Sequence, residues 1–246
     1  MGGGFPAIFS QNRKVGIFLP LFSYFCTLVF IEDDESGIPE GESDMALVLA
    51  GSDWLTETCK MLYINDHIET LDWEARLSEL PKVRQEKCLD FKHDTGRRQC
   101  VAVWLLLREA LRTEFGLADA PEVAVAEHGK PYFPSRPDIF FSLSHCATGV
   151  ACAVGTRPVG VDIERIRPFN EMLAAYVLNE EELDTVRRAA DPALTFTILW
   201  TRKECLLKLT GEGLRHDLKG LLVGCRHSFQ TVVGGESRYV CSWVEA

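Results

Sequence analysis

Asp162 and Glu164 stand two apart in the run GVDIE at 160–164, so on an extended strand both carboxylates project from the same face. Two carboxylates crowded there repel unless a cation neutralises them. A small set of hard oxygen donors suits Mg²⁺, which keeps waters and accepts phosphate oxygens as further ligands. The doublet equally admits a solvated strand end, its charge offset by Arg165 and Arg167. A second cluster lies in WTRKECLLKLTGEGL at 200–214. Trp200, Lys203, Glu204, Leu207 and Lys208 follow the i, i+3, i+4, i+7, i+8 spacing of a helix's apolar stripe, yet three of them are charged. Charges on an inward face are costly unless they pair or line a site. Two readings follow: an i, i+4 surface pair between Glu204 and Lys208, or a helix packed beside GVDIE. In the second, Glu204 is a third oxygen ligand and Lys203 and Lys208 face an anion.

His145 leaves a strand in FSLSHC, between Ser144 and Cys146. It reads as a structural histidine or as a phosphate contact, which small neighbours at a strand exit would permit. Cys146 is a poor nucleophile candidate beside it, because adjacent strand residues point apart. Lys130 sits in the tight turn GKP, before Pro131. The common nucleotide and hydrolase patterns GxxxxGK[ST], GxGxxG, HExxH and GxSxG are absent from the sequence, so any phosphate chemistry must use another scaffold.

The elements that must position these residues read as α+β. Short strands are expected at 62–65, 122–126, 139–143, 150–154 and 159–163. Helices are expected over 73–80, from Pro81 to about 93, and over 97–115. The last is marked by Val103, Trp104, Leu107 and Leu111 at helical spacing and by Gly116 as a stop. Asn179 is a suitable N-cap for EEELDTVRRAA, with acids at the positive end of the helix and arginines at the negative end. Pro192 opens a helix to about Thr210, closed by GEG, and residues 219–246 read as two or three strands.

Composition narrows the classes. Hydrophobic residues at 46% and charged residues at 25% of 246 describe an ordinary folded chain. The formal net charge of −10 argues against a general nucleic-acid binder. Most of that acidity is local, since residues 1–60 hold nine acids against three bases. Nine cysteines without a CxxC pair disfavour zinc ribbons and disulfide frameworks and suit a reducing compartment. Residues 15–31 are uncharged and follow Arg13 and Lys14, and an acidic, turn-rich stretch comes next. That segment reads as a signal or anchor, as a packed apolar extension, or as sequence upstream of a start at Met61.

Taken in order, GKPYF (129–133), FSLSHC (141–146), GVDIE and WTRKECLLKLTGEGL resemble the motifs of the Sfp-type 4′-phosphopantetheinyl transferases. The likeness runs from about 62 to about 220 and leaves residues 1–60 as a non-family extension. It implies a fold of two similar α+β halves related by a pseudo-twofold, here 61–156 and 157–246. It implies Mg²⁺-dependent transfer of the phosphopantetheine arm from coenzyme A to a serine of an acyl or peptidyl carrier protein, releasing 3′,5′-ADP. Asp162, Glu164 and Glu204 would then hold the metal. Glu204, directly or through a water, would take the serine proton, and Lys208 would stabilise or protonate the leaving phosphate. Lys203, His145 and Ser144 would lie at the coenzyme phosphates, and Lys130 and Pro131 would flank the nucleotide. Arg84, Lys87 and either Arg97 or Arg98 would reach the 3′-phosphate. The expected partners are coenzyme A and a carrier protein, without nucleic acid or membrane, and the expected state is a cytoplasmic monomer. The alternative is a non-catalytic paralogue that binds coenzyme A or a carrier.

Overall fold

The computed structural model describes residues 13–15, 28–30, 61–212, 217–234 and 238–246. Strands β1 (Arg13–Val15) and β2 (Leu28–Phe30) come first, followed by β3 (Met61–Asn65), α1 (Trp73–Leu77), α2 (Lys82–Leu89) and α3 (Asp94–Phe115). Then come β4 (Ala124–Val125), β5 (Pro131–Tyr132), β6 (Phe140–His145), β7 (Val150–Gly155) and β8 (Val159–Arg165). The chain closes with α4 (Glu171–Val177), α5 (Glu180–Arg188), α6 (Pro192–Thr210), β9 (Gln230–Gly234) and β10 (Tyr239–Glu245). The mixture is α+β, as its sequence texture suggests. Most of the apolar run 15–31 and all of the acidic stretch after it lie outside the described residues, and so do the three readings of that segment. Among the described residues no helix is long and apolar enough to cross a membrane.

The strands form two four-stranded sheets, in the orders β1-β3-β7-β6 and β2-β9-β10-β8, plus the small β4–β5 pair. In the first sheet every pairing is antiparallel. In the second, β8–β10 and β10–β9 are antiparallel, and β2 runs parallel to β9. One long helix crosses each sheet: α3 lies on β7 and β3, α6 on β8 and β10.

Burial explains why VACAVG at 150–155 is apolar throughout rather than alternating. Cys152 and Val154 face a core with Tyr63, Trp104, Leu107 and Leu111. Ala151 and Ala153 face the opposite core, with Leu62, Ile64, Val161, Ile163, Cys241 and Trp243. A strand covered on both faces needs no polar side. The second core is shared by both sheets, so the two sheets are held against each other. Each large side chain buried in these clusters contributes about 1.5–3 kcal/mol of transfer free energy.

Helix ends follow local chemistry. Asn179 accepts from Glu182 N–H while the Glu182 carboxylate returns to Asn179 N–H, a complete capping box. Pro192 opens α6 as expected, and Asp191 before it caps the helix by accepting from Leu194 N–H. Helix α2 ends at Leu89 rather than near 93, and α3 begins earlier than expected, at Asp94. Helix α4 is an addition to the sequence reading. Asn170 caps it, but Met172, Leu173 and Tyr176 stay exposed, so no amphipathic period marks it. The C-terminal segment supplies two strands.

Candidate functional site

Gly160, the first residue of GVDIE, decides how closely α6 can approach β8. A Cβ there would stand 2.0 Å from Cys205 O and 2.7 Å from Leu209 N, both on α6, so any larger residue would push the helix away. With glycine in place the helix lies flush on the strand. Asp162, two residues on, comes within reach of Lys208.

Asp162 is 4% exposed. Its Oδ1 accepts from Ser144 Oγ at 2.8 Å and from Lys208 Nζ at 2.6 Å, and Lys208 Nζ also donates to Ser144 Oγ at 2.8 Å. Asp162 Oδ2 is buried and has no hydrogen-bond partner among the described residues. A buried carboxylate oxygen left empty costs free energy unless something occupies it. Glu164 and Glu204 are half-buried, and both bind their protons more tightly than an ordinary glutamate. Desolvation is the main cause in each, and the charge of Asp162 is next. Lys208 pulls both the other way, joined at Glu164 by Arg167, while Glu204 adds to the repulsion there.

A buried aspartate with an unsatisfied oxygen, whose charge raises the proton affinity of two neighbouring glutamates, fits a hard divalent cation as part of a donor set. They do not form a ready-made cage. Among the described residues no three His, Cys, Asp or Glu side chains converge as a metal cluster, and Lys208 holds Asp162 Oδ1.

Beside the acids opens a cleft of about 320 Å³ lined by Gly129, Lys130, Pro131, Glu204, Lys208 and Gly211, among others. Lys130 Nζ donates to Leu209 O at 2.7 Å, and burial lowers its pKa. Gly211, at φ +71°, ends α6 in the left-handed region, where a side chain would be strained and would also press on Lys130.

His145, the last residue of β6, stays exposed. Its pKa is lowered first by desolvation and then by the positive charge of Lys208, with Lys87 and Arg84 adding and Asp162 opposing. Those cations therefore share a region with His145. Arg84 stacks over the Trp104 ring at 4.8 Å, and Lys87 is exposed. Arg97 is committed, to Asp94 at 3.1 Å and to the face of Trp73 at 5.1 Å. Both arginines carry a buried Nε without a partner among the described residues, but Arg97 also holds an ion pair, so Arg98 keeps the more unused hydrogen-bonding capacity.

One expectation needs correcting. Lys203 does not face the acids. It is 1% exposed, and its ammonium is bonded to Glu182 at 2.9 Å and Leu218 O at 2.9 Å. The charged stripe on α6 is therefore two faces, one carrying Lys203 toward α5 and the other carrying Glu204 and Lys208 toward β8 and the cleft. Ser144 is buried beside the acids, and its hydroxyl bonds Asp162, Lys208 and Ile163 N–H. The sequence reading passed over Glu182 and Ser142. Their only signals were the capping-box spacing and the Ser-x-Ser alternation on β6.

The family model of the 4′-phosphopantetheinyl transferase superfamily matches residues 158–241. A 4′-phosphopantetheinyl transferase of Bacillus subtilis is 29% identical over 165 residues, covering 66% of this chain and 74% of the relative. These matches make the chain similar to the 4′-phosphopantetheinyl transferase superfamily. Its likeness is to the Sfp-type members. The 4′-phosphopantetheinyl transferase Sfp of Bacillus subtilis strain 168 is 28% identical over 166 residues, with 66% and 74% coverage. The 4′-phosphopantetheinyl transferase psf-1 of Bacillus pumilus is 37% identical over 93 residues, 37% of this chain and 40% of the relative. The span matched by the superfamily model contains β8, α6, Asp162, Glu164, Glu204 and Lys208. Arg84, Lys130, Ser144 and His145 precede it.

Proposed function

We propose that this chain transfers the 4′-phosphopantetheine arm of coenzyme A to a serine hydroxyl of an acyl or peptidyl carrier protein, with Mg²⁺ as cofactor. The observation that carries this reading is Asp162. It is a buried carboxylate with one oxygen empty and the other held by Lys208, beside two crowded glutamates at the edge of a cleft. Asp162, Glu164 and Glu204 would hold Mg²⁺, which when bound neutralises charge on the pyrophosphate oxygens.

The chain's own groups do the rest. Arg84, Lys87 and Lys208 surround His145 with positive charge, the local field that draws a polyanion such as coenzyme A. Arg98 joins them as the less committed arginine, and Lys130 with Pro131 forms the wall over the nucleotide. The serine oxygen forms a bond to the β-phosphorus as the bond to the α-phosphate oxygen breaks, and 3′,5′-ADP departs. The serine proton passes to Glu204, directly or through a water, because its desolvated carboxylate has a raised proton affinity. Lys208 stands at the same cleft to offset the charge gained by the leaving phosphate. On this reading the two sheet-and-helix units are pseudo-twofold halves, 61–156 and 157–246, with coenzyme A between them in a cytoplasmic monomer.

The test is product formation. 3′,5′-ADP should appear only when coenzyme A, Mg²⁺ and an apo carrier are all present. Coenzyme A binding without 3′,5′-ADP across a panel of apo carriers would instead identify a binding paralogue.

A further inference from the structure

Arginines on α1 and α3 are tied to carboxylates: Arg76 and Arg108 to Glu79, Arg112 to Glu109 and Arg97 to Asp94. Arg84, on α2, is held differently. Its guanidinium lies over the ring of Trp104 on α3, 4.8 Å from the centroid, and it has no carboxylate partner among the described residues. Its Nε is buried and likewise without a partner among them. A π face attracts a cation without cancelling its charge, so the N–H donors of Arg84 stay available to an anion.

Apolar packing alone does not account for Trp104. It is buried in the core with Leu107, Cys152 and Val154, and its indole N–H has no partner among the described residues. Leucine or phenylalanine would fill that core without stranding a donor, whose desolvation costs free energy. What tryptophan alone adds is the strongest π face for a cation. The packing around Trp104 fixes its plane, and the half-buried guanidinium stacked on it is held in turn. Without such a support a long side chain keeps its rotamer freedom and loses it only on binding. Lys87 stands three residues beyond Arg84, so both cations project from one side of α2.

We propose that Trp104 is a positioning residue: its ring holds the Arg84 guanidinium in one orientation with its charge unpaired, and so sets how strongly the chain prefers coenzyme A over dephospho-coenzyme A, which lacks the 3′-phosphate. Trp104 is buried and acts through Arg84. This rests on the proposed function and on Arg84 meeting that phosphate, which the experiment tests separately. The strength of a cation–π contact corresponds to about 3–30-fold in a binding constant.

The test is equilibrium binding of coenzyme A and of dephospho-coenzyme A to the full chain, by calorimetry with Mg²⁺ and without a carrier protein. Melting temperatures of the free variants are measured alongside. The parent should bind coenzyme A the tighter. Arg84→Gln should cut that preference by about 10–100-fold, the range of a charged hydrogen bond. Trp104→Leu should cut it by about 3–30-fold, and Trp104→Phe, which restores a π face, should recover part of the loss. If Trp104→Leu does not fold, Trp104→Phe should still show a reduced preference, because its face is the weaker one. Combined with Arg84→Gln, either Trp104 variant should lower the preference no further. A parent-like preference in the folded Trp104 variants, beside a loss in Arg84→Gln, overturns the positioning role, and so does an equal weakening of both ligands. A parent-like preference in Arg84→Gln overturns the phosphate assignment beneath it, and failure of the parent to bind either ligand overturns the proposed function itself.

Discussion

Lys203 and Lys208 lie five residues apart on α6, yet they occupy opposite kinds of environment. Lys203 is 1% exposed and bonded to a carboxylate from the α5 capping box and to the Leu218 carbonyl. Lys208 is partly open at the rim of a cleft, with its ammonium shared between Ser144 and a buried aspartate. An ammonium sealed among protein acceptors can only hold structure. One that keeps access to a cleft can also meet an incoming anion. The same residue type on one helix is thus divided by where its bonds are made, and not by its position in a motif.

Removing each lysine separates the two roles. Lys203→Met leaves the half-buried Glu182 without its lysine partner and should cost about 3 kcal/mol of unfolding free energy, the low end for a broken buried pair. Transfer per folded molecule should stay within a few-fold of the parent. Adding Glu182→Leu should recover much of the loss, since a buried pair replaced as a whole is often neutral; denaturant titration of the single and double variants measures this. Lys208→Met should strike activity instead, lowering kcat of the folded protein by about 10²–10³-fold, as expected for removing one group that stabilises developing charge. A kinetic collapse in Lys203→Met equal to that in Lys208→Met would erase the distinction.

Gly160→Ala attacks the geometry that the Lys208 side depends on. Its Cβ would collide with the α6 backbone at Cys205, so the helix must shift, and overpacking of this kind costs typically about 1–3 kcal/mol. Activity should fall further than stability, because Glu204 and Lys208 move away from Asp162.

The smallest effect concerns pH. His145 has a folded pKa below its ordinary 6.5, so the unfolded chain binds the proton more readily. Its contribution to stability is present above 6.5 and fades as pH falls through the depressed folded value. His145→Gln should therefore flatten the acid side of the stability profile, measured as melting temperature against pH. Binding a polyanion should draw a proton onto His145 below neutral pH, read as buffer-dependent binding heat that the variant lacks.

Much of the scaffold was legible because its determinants are local. The Asn179 cap, the α3 period and the Gly116 stop each depend on residues within one or two turns. Asp162 and Glu204 could be named from their types and spacing. The fate of Lys203 could not, because Glu182 is far off in the chain and a stripe of five positions is wide enough to serve two neighbours. The bonds of Ser144 to Asp162 and Ile163 were hidden for a similar reason, as they depend on how β6 meets β8, which only the packing of the two sheets sets. Helix α4 escaped notice because its exposed apolar residues break the amphipathic pattern.

The most direct measurement is the intact mass of an apo carrier protein after incubation with coenzyme A and Mg²⁺, using the parent chain and Asp162→Asn side by side. The parent should add one phosphopantetheine group to at least one carrier of a broad panel, and Asp162→Asn should add none in the same time. An unmodified carrier with the parent, or equal modification by both, would contradict the account.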